Sequence, residues 1–129
     1  MLKVLVVDDL KCQRLLMQEF LRDYSVEVLF AENGLEGLKL MEANQDLSLV
    51  ITDLNMPVLH GFEMITMARK NSEINKIPFI ILTGEPIDTI TKKARELDVY
   101  FIFRKPLRSF EHLKKLLDNF FFNFCSCST

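Results

Sequence analysis

The sequence predicts a doubly wound α/β domain built on a five-stranded parallel sheet. Five short runs rich in Val, Ile and Phe recur along the chain, stretches of helical spacing follow each of them, and turn residues mark the junctions. Because several runs are apolar at consecutive positions, they read as strands covered on both faces, the habit of a parallel sheet. Five rounds of β-α alternation with right-handed crossovers then give an open sheet with helices on both sides.

The first strand is Lys3 to Val7, and Cys12, Leu15, Leu16 and Phe20 mark the apolar stripe of the helix that follows. The second is Val26 to Ala31, after which Asn33-Gly34 turns the chain into a helix with Leu35, Leu38 and Met41 on its inner face. The third, Leu49 to Thr52, leads through Met56-Pro57 and Gly61 to a helix striped by Phe62, Ile65 and Ala68. The fourth, Phe79 to Leu82, ends in Gly84-Glu85-Pro86, and its helix carries Ile90, Ala94 and Leu97. The fifth, Tyr100 to Phe103, runs into Lys105-Pro106 and a last helix striped by Phe110, Leu113, Leu116 and Phe120.

At 129 residues the chain has the size of one domain, expected over 1–122, with 123–129 a short C-terminal tail and no output domain attached. Sixteen basic against eighteen acidic side chains leave a net charge of −2, so there is no basic excess to neutralise phosphates, and direct nucleic-acid binding is not expected. Of the three cysteines, Cys125 and Cys127 are too close together to close a disulfide framework with Cys12, which suits a reducing, cytoplasmic setting. The first apolar run reaches Asp8 too soon to be a signal-peptide core, and no stretch has the roughly 18 apolar residues of a membrane span. No membrane association is expected, and the state is read as monomer or weak dimer.

In doubly wound sheets ligands bind beyond the carboxyl ends of the strands. Those positions hold Asp8 and Asp9 after the first strand, Asp53 after the third, Thr83 after the fourth and Lys105 after the fifth. Three carboxylates on one edge repel unless a pKa rises, a hard cation binds or an ammonium stands nearby. Lys105 supplies the ammonium. Mg²⁺ would supply the cation, since it takes oxygen ligands from one or two carboxylates and leaves room for water or phosphate oxygens. With phosphoryl oxygens so neutralised, a carboxylate can act as phosphoryl acceptor, and Asp53, central in the sheet, is the nucleophile. Thr83 has a hydroxyl to offer a phosphoryl oxygen.

These residues stand in four motifs, Leu5-Val6-Val7-Asp8-Asp9, Ile51-Thr52-Asp53-Leu54-Asn55-Met56-Pro57 with Gly61, Ile81-Leu82-Thr83-Gly84, and Lys105-Pro106. Together, in this order and at this spacing, they resemble the receiver domain of two-component response regulators, most of all the stand-alone chemotaxis type, over residues 2 to about 120. The resemblance implies a flavodoxin-like (βα)5 fold with strand order 2-1-3-4-5. It implies Asp53 as phosphoacceptor, Asp9 as direct Mg²⁺ ligand, Asp8 acting mainly through water, and Asn55 offering its backbone carbonyl. Lys105 would pair with the phosphoryl group, Thr83 would be the switch hydroxyl, and the Lys105-Pro106 bond is expected to be cis. A histidine kinase or phosphotransfer protein is the implied donor. An unknown output protein is expected on the surface of the fourth helix, fifth strand and fifth helix, where Lys92, Lys93, Arg95 and Arg104 favour an acidic partner. Asn55 and Glu85 take the positions where this family tunes the attacking water, and their polar side chains imply a short-lived phosphoryl state.

Three features depart from the family pattern. Ile102 stands where a Tyr or Phe is usual, and strand alternation puts Phe101 and Phe103 on the opposite face, so a muted rearrangement is expected at the fourth helix and fifth strand. The tail Phe120-Phe121-Phe122-Asn123-Phe124 has too many rings for one helical stripe; Phe120 and Phe121 read as core, while Phe122 and Phe124 read equally as interface or frayed end. Gly84 replaces the family's common Ala and is expected to loosen its loop. His60 and His112 are expected to be solvent-exposed, and the methionines to fill core. The leading function is a switch protein rather than a turnover enzyme. A phosphate shuttle or sink in a relay stays open beside it. A haloacid-dehalogenase-like phosphatase is disfavoured by Asn55, where such enzymes carry an acid.

Overall fold

A computed structural model describes residues 2–105 and 110–127, with side chains to residue 122. The chain alternates without exception: β1 (Leu2–Val7), α1 (Lys11–Leu21), β2 (Val26–Ala31), α2 (Gly34–Ala43), β3 (Leu49–Thr52), α3 (Gly61–Lys70), β4 (Phe79–Thr83), α4 (Ile87–Glu96), β5 (Phe101–Arg104) and α5 (Glu111–Cys127). All neighbouring strands pair in parallel in the order β2-β1-β3-β4-β5. This is the flavodoxin-like (βα)5 arrangement the motifs imply.

The consecutively apolar strands feed two cores, one on each face of the sheet. Leu5, Val7, Val50, Phe79 and Ile81 point toward α2, α3 and α4, and Val4, Val6, Leu49, Ile51, Ile80 and Leu82 point toward α1 and α5. β1, β3 and β4 are buried at every one of their last four residues, so the middle of the sheet is fixed from both sides. Cutting one of these side chains back to alanine would cost about 2–5 kcal/mol. The strand ends that carry the acidic residues are therefore anchored to a rigid base.

Local chemistry sets the helix starts. Asn33 caps α2, its side chain accepting from the Glu36 N–H at 2.9 Å. His60 caps α3 through Nδ1, which accepts from the Phe62 N–H at 3.1 Å, so it is half-buried and structural rather than solvent-exposed as expected; His112 is exposed. α1 also departs from expectation. Its inner face is Arg14, Met17, Phe20 and Leu21, while Cys12, Leu15 and Leu16 look outward, because the helix turns its Arg14 side onto the end of β1. On α2, Leu35 is likewise exposed, and Gly34 and Gly37 take the inward positions. Met67 is half-exposed, unlike the buried Met17, Met41 and Met64.

α5 buries Leu113, Leu117, Phe120 and Phe121 and exposes Phe122. Its backbone stays helical to Cys127, into the stretch expected as a tail, while the side chains of Phe124, Cys125 and Cys127 lie outside the described residues, as does Pro106. Among the described residues no helix is long and apolar enough to cross a membrane.

Candidate functional site

The carboxyl edge of the sheet gathers the side chains that sequence reasoning singled out. β1 delivers Asp8 and Asp9, β3 delivers Asp53, β4 delivers Thr83, and Lys105 follows β5. The Asp53 N–H donates to the Val7 carbonyl at 3.0 Å, which continues the β1-β3 ladder and brings the two acidic strand ends side by side. Gly61 is demanded from behind: a Cβ there would lie 2.5 Å from the Asp53 carbonyl oxygen and 2.9 Å from Leu54 Cα. Only glycine lets α3 start this close under the Asp53 backbone.

One oxygen from each of Asp8, Asp9 and Asp53 lies within 4.8 Å of the others. Lys105 Nζ sits among them, 2.8 Å from Asp8 Oδ2 and 3.4 Å from Asp53 Oδ2. The other oxygens of the two inner carboxylates are also occupied: Asp8 Oδ1 accepts from the Leu10 N–H at 3.0 Å, and Asp53 Oδ1 from the Leu54 N–H at 2.7 Å. Asp9 is exposed and has no side-chain partner among the described residues. Burial pushes the Asp53 carboxyl above its ordinary pKa; the Lys105 ammonium and the Leu54 N–H pull it back, and the Asp8 charge adds a smaller push upward. One ammonium against three carboxylates leaves a deficit of positive charge. An all-oxygen cluster with one free carboxylate and two half-compensated ones fits a hard divalent cation such as Mg²⁺, which would be held by Asp8, Asp9 and Asp53.

Thr83 is fully buried, and its hydroxyl accepts from the Glu85 N–H at 3.1 Å. Its carbonyl accepts from the Lys105 N–H at 2.6 Å, which ties the β4 end to the lysine. Across the mouth of the site the Asn55 amide donates to Glu85 Oε1 at 3.1 Å, so the two residues bridge the loops after β3 and β4. Gly84 has open space where a Cβ would stand and no unusual φ, so alanine would fit there without strain. Ile102 lies half-buried against the core shared with α4, while Phe103 packs toward α5.

Sequence reasoning missed Arg14. Its Nη1 donates to the Asp8 carbonyl at 2.6 Å and its Nη2 pairs with Glu32 at 3.6 Å, pinning the turn that carries Asp8 and Asp9. The available signal was the spacing of Arg14 with Met17 and Leu21, which marks the inner face of α1, but the more apolar Leu15-Leu16 pair masked it.

Comparison with known proteins agrees with this geometry. The family profile described as "Response regulator receiver domain" matches residues 4–118. A probable chemotaxis protein CheY of Rhizobium etli is 32% identical over 121 residues, covering 93% of this chain and 92% of the relative. Chemotaxis protein CheY1 of Helicobacter pylori is 38% identical over 85 residues, covering 65% of this chain and 68% of the relative. Among solved structures, chemotaxis protein CheY4 of Vibrio cholerae superposes with a TM-score of 0.82 at 31% identity, covering 92% of this chain and 98% of that one. The response regulator TrrA of Thermotoga maritima, solved in complex with Mg(2+)-BeF, gives 0.79 at 29% identity, covering 93% and 99%.

Proposed function

The chain belongs to the response regulator receiver family, and from that premise we propose that Asp53 accepts a phosphoryl group from the phosphohistidine of a histidine kinase or phosphotransfer protein. The observation that carries this is the convergence of three carboxylates at the sheet's edge, two of them, Asp8 and Asp53, paired with Lys105. In the transfer an Asp53 oxygen attacks phosphorus in line, the P–N bond breaks and the imidazole leaves. Asp53 Oδ2 is the more available oxygen, since Oδ1 is fixed by the Leu54 N–H. Mg²⁺ bound at Asp8, Asp9, Asp53 and the Asn55 carbonyl would neutralise charge on the phosphoryl oxygens. Lys105 exchanges its hold on Asp8 for one on the phosphoryl group. The Thr83 hydroxyl, released from Glu85, donates to the same group. The later hydrolysis breaks the new P–O bond, with Asn55 and Glu85 governing how water reaches it, so the acyl phosphate is short-lived.

Receiver domains are signalling switches rather than turnover enzymes on small molecules, and this chain takes that role in the cytoplasm, as a monomer or weak dimer. The phosphorylated form binds an output protein at the surface of α4, β5 and α5. A phosphate shuttle or sink is the second reading, favoured by Ile102, since it needs no conformational output. A haloacid-dehalogenase-like phosphatase is not supported, because Asn55 offers an amide rather than an acid and is bonded to Glu85.

Incubation with acetyl phosphate and Mg²⁺ tests the proposal by mass spectrometry. Wild type should gain one phosphoryl group and lose it within minutes, and Asp53→Asn should gain none. Absence of labelling in the wild type would overturn the function, and a label persisting for hours would overturn the role given to Asn55 and Glu85.

A further inference from the structure

Of the three carboxylates at the sheet's edge, Asp8 and Asp53 are held by Lys105 and by main-chain N–H groups, whereas Asp9 has no side-chain partner among the described residues. Its direction is therefore set through its own main chain. The Asp8-Asp9 peptide is a rigid plane, so whatever fixes the Asp8 carbonyl fixes the plane from which the Asp9 side chain departs. β2 holds one side of Asp8, whose N–H donates to the Ala31 carbonyl at 3.1 Å. Arg14 of α1 holds the other, its Nη1 donating to the Asp8 carbonyl at 2.6 Å. The arginine is itself held: its side chain is only 14% exposed, and its Nη2 lies 3.6 Å from Oε1 of Glu32, the residue after β2. α1 presents it here because Met17 and Leu21, one and two turns further on, bury the same face of the helix.

By charge alone, a guanidinium beside Asp8 and Asp9 opposes the binding of a divalent cation. Its placement is accounted for by geometry instead. We propose that Arg14 is a positioning residue for that cation: through the Asp8 carbonyl it holds Asp9 in a fixed orientation, and in doing so sets a preference for Mg²⁺ over Ca²⁺. Mg²⁺ demands near-ideal octahedral oxygen ligands at about 2.0–2.1 Å, while Ca²⁺ accepts six to eight oxygens at about 2.3–2.6 Å in flexible arrangements. An Asp9 free to swing would still serve the larger ion and would fail the smaller. Glu32 shares the role one step further out, by holding the guanidinium. The inference rests on the reading that Asp8, Asp9 and Asp53 hold a divalent cation, and adds to it the residue that selects the ion.

The test is calorimetric titration of the full unphosphorylated chain with MgCl₂ and with CaCl₂, without phosphodonor, so its outcome is separate from that of Asp53 labelling. Because the two ions carry the same charge, a change in the local field shifts both affinities alike and largely cancels in their ratio. Arg14→Met removes the charge and the donors but keeps an apolar stem. It should weaken Mg²⁺ at least about tenfold, the scale of losses when a ligand's outer partner is removed, and Ca²⁺ less than about threefold. Arg14→Lys should fall between, since an ammonium lacks the fork that reaches both acceptors. Glu32→Gln, at an exposed position, reads the same linkage where the Arg14 variants fold poorly: the Mg²⁺-to-Ca²⁺ affinity ratio should fall about threefold with the melting temperature in chelator unchanged. An unchanged ratio in Arg14→Met, or tighter binding of both ions as charge alone would give, would overturn the proposal and leave the cation site standing. Full Mg²⁺ affinity in Asp9→Asn would overturn both, by placing the ion elsewhere.

Discussion

At the scale of single residues, Asp53 carries a cost of the site that folding must absorb. Its carboxyl is held above its ordinary pKa chiefly by burial, so the folded state binds its proton more tightly than the unfolded chain does. Stability from this group is therefore complete below the unfolded pKa and is lost as pH rises through the folded one. Asp53→Asn removes that loss. In the metal-free protein it should leave acid stability unchanged and raise the melting temperature by a few degrees at neutral pH; an equal shift at pH 3 and pH 7 in thermal melts would contradict the cause given. Asp8, Asp9, Asp53, Thr83 and Lys105 were legible in the sequence because a strand end followed by a polar residue leaves a pattern. Arg14 was not, since its partner is the Asp8 main-chain carbonyl, which any residue would provide. The Asn55–Glu85 bond was foreshadowed only as two polar positions, because no spacing rule joins loops thirty residues apart.

At the scale of elements, the junctions are legible in the sequence and the buried face of α1 is not. Asn33-Gly34, Gly61 and Gly84-Glu85-Pro86 mark turns whose chemistry is local, and the helices start where they indicate. The buried face of α1 is masked because its two most apolar neighbours, Leu15 and Leu16, are on the outside. A clamp was also invisible: Arg69 at the end of α3 donates to the carbonyls of Asn75, Ile77 and Leu97 at 2.8 Å and of Asp98 at 3.1 Å, with its guanidinium 5.0 Å from the Phe79 ring centroid. It joins the entry to β4 with the turn between α4 and β5. Arg69→Ala should cost about 2–4 kcal/mol in urea unfolding, and Arg69→Lys should recover only part, since an ammonium cannot span these acceptors. A loss below about 0.5 kcal/mol would show that water replaces the guanidinium. Ile102 bears on the same region. Without an aromatic ring to swing inward, α4 and β5 should move little on phosphorylation, and chemical-shift changes there should stay small beside those around Asp53 and Thr83. A large displacement of α4 between the two states would contradict this.

At the scale of the whole molecule, a net charge of −2 conceals an uneven distribution: three carboxylates meet at one edge of the sheet, while Lys115 lines an aromatic cleft beside β5. The first concentration predicts that a divalent cation stabilises the fold. Mg²⁺ at a hundred times its Kd should add about 2.7 kcal/mol, lost on chelation and much reduced in Asp9→Asn, as read by thermal melts; an identical gain in that variant would place the ion elsewhere. The fold itself was legible at this scale because five apolar runs and five helical patterns in strict alternation leave few topologies open. Every step proposed for the site depends on Asp53 carrying the phosphoryl group. That role is tested most directly by phosphorylating the chain, reducing the acyl phosphate with borohydride and sequencing the peptides by mass spectrometry. Homoserine is expected at position 53, with intact aspartate at positions 8 and 9; intact Asp53 in a phosphorylated sample, or homoserine at Asp8 or Asp9, would rule Asp53 out as the acceptor.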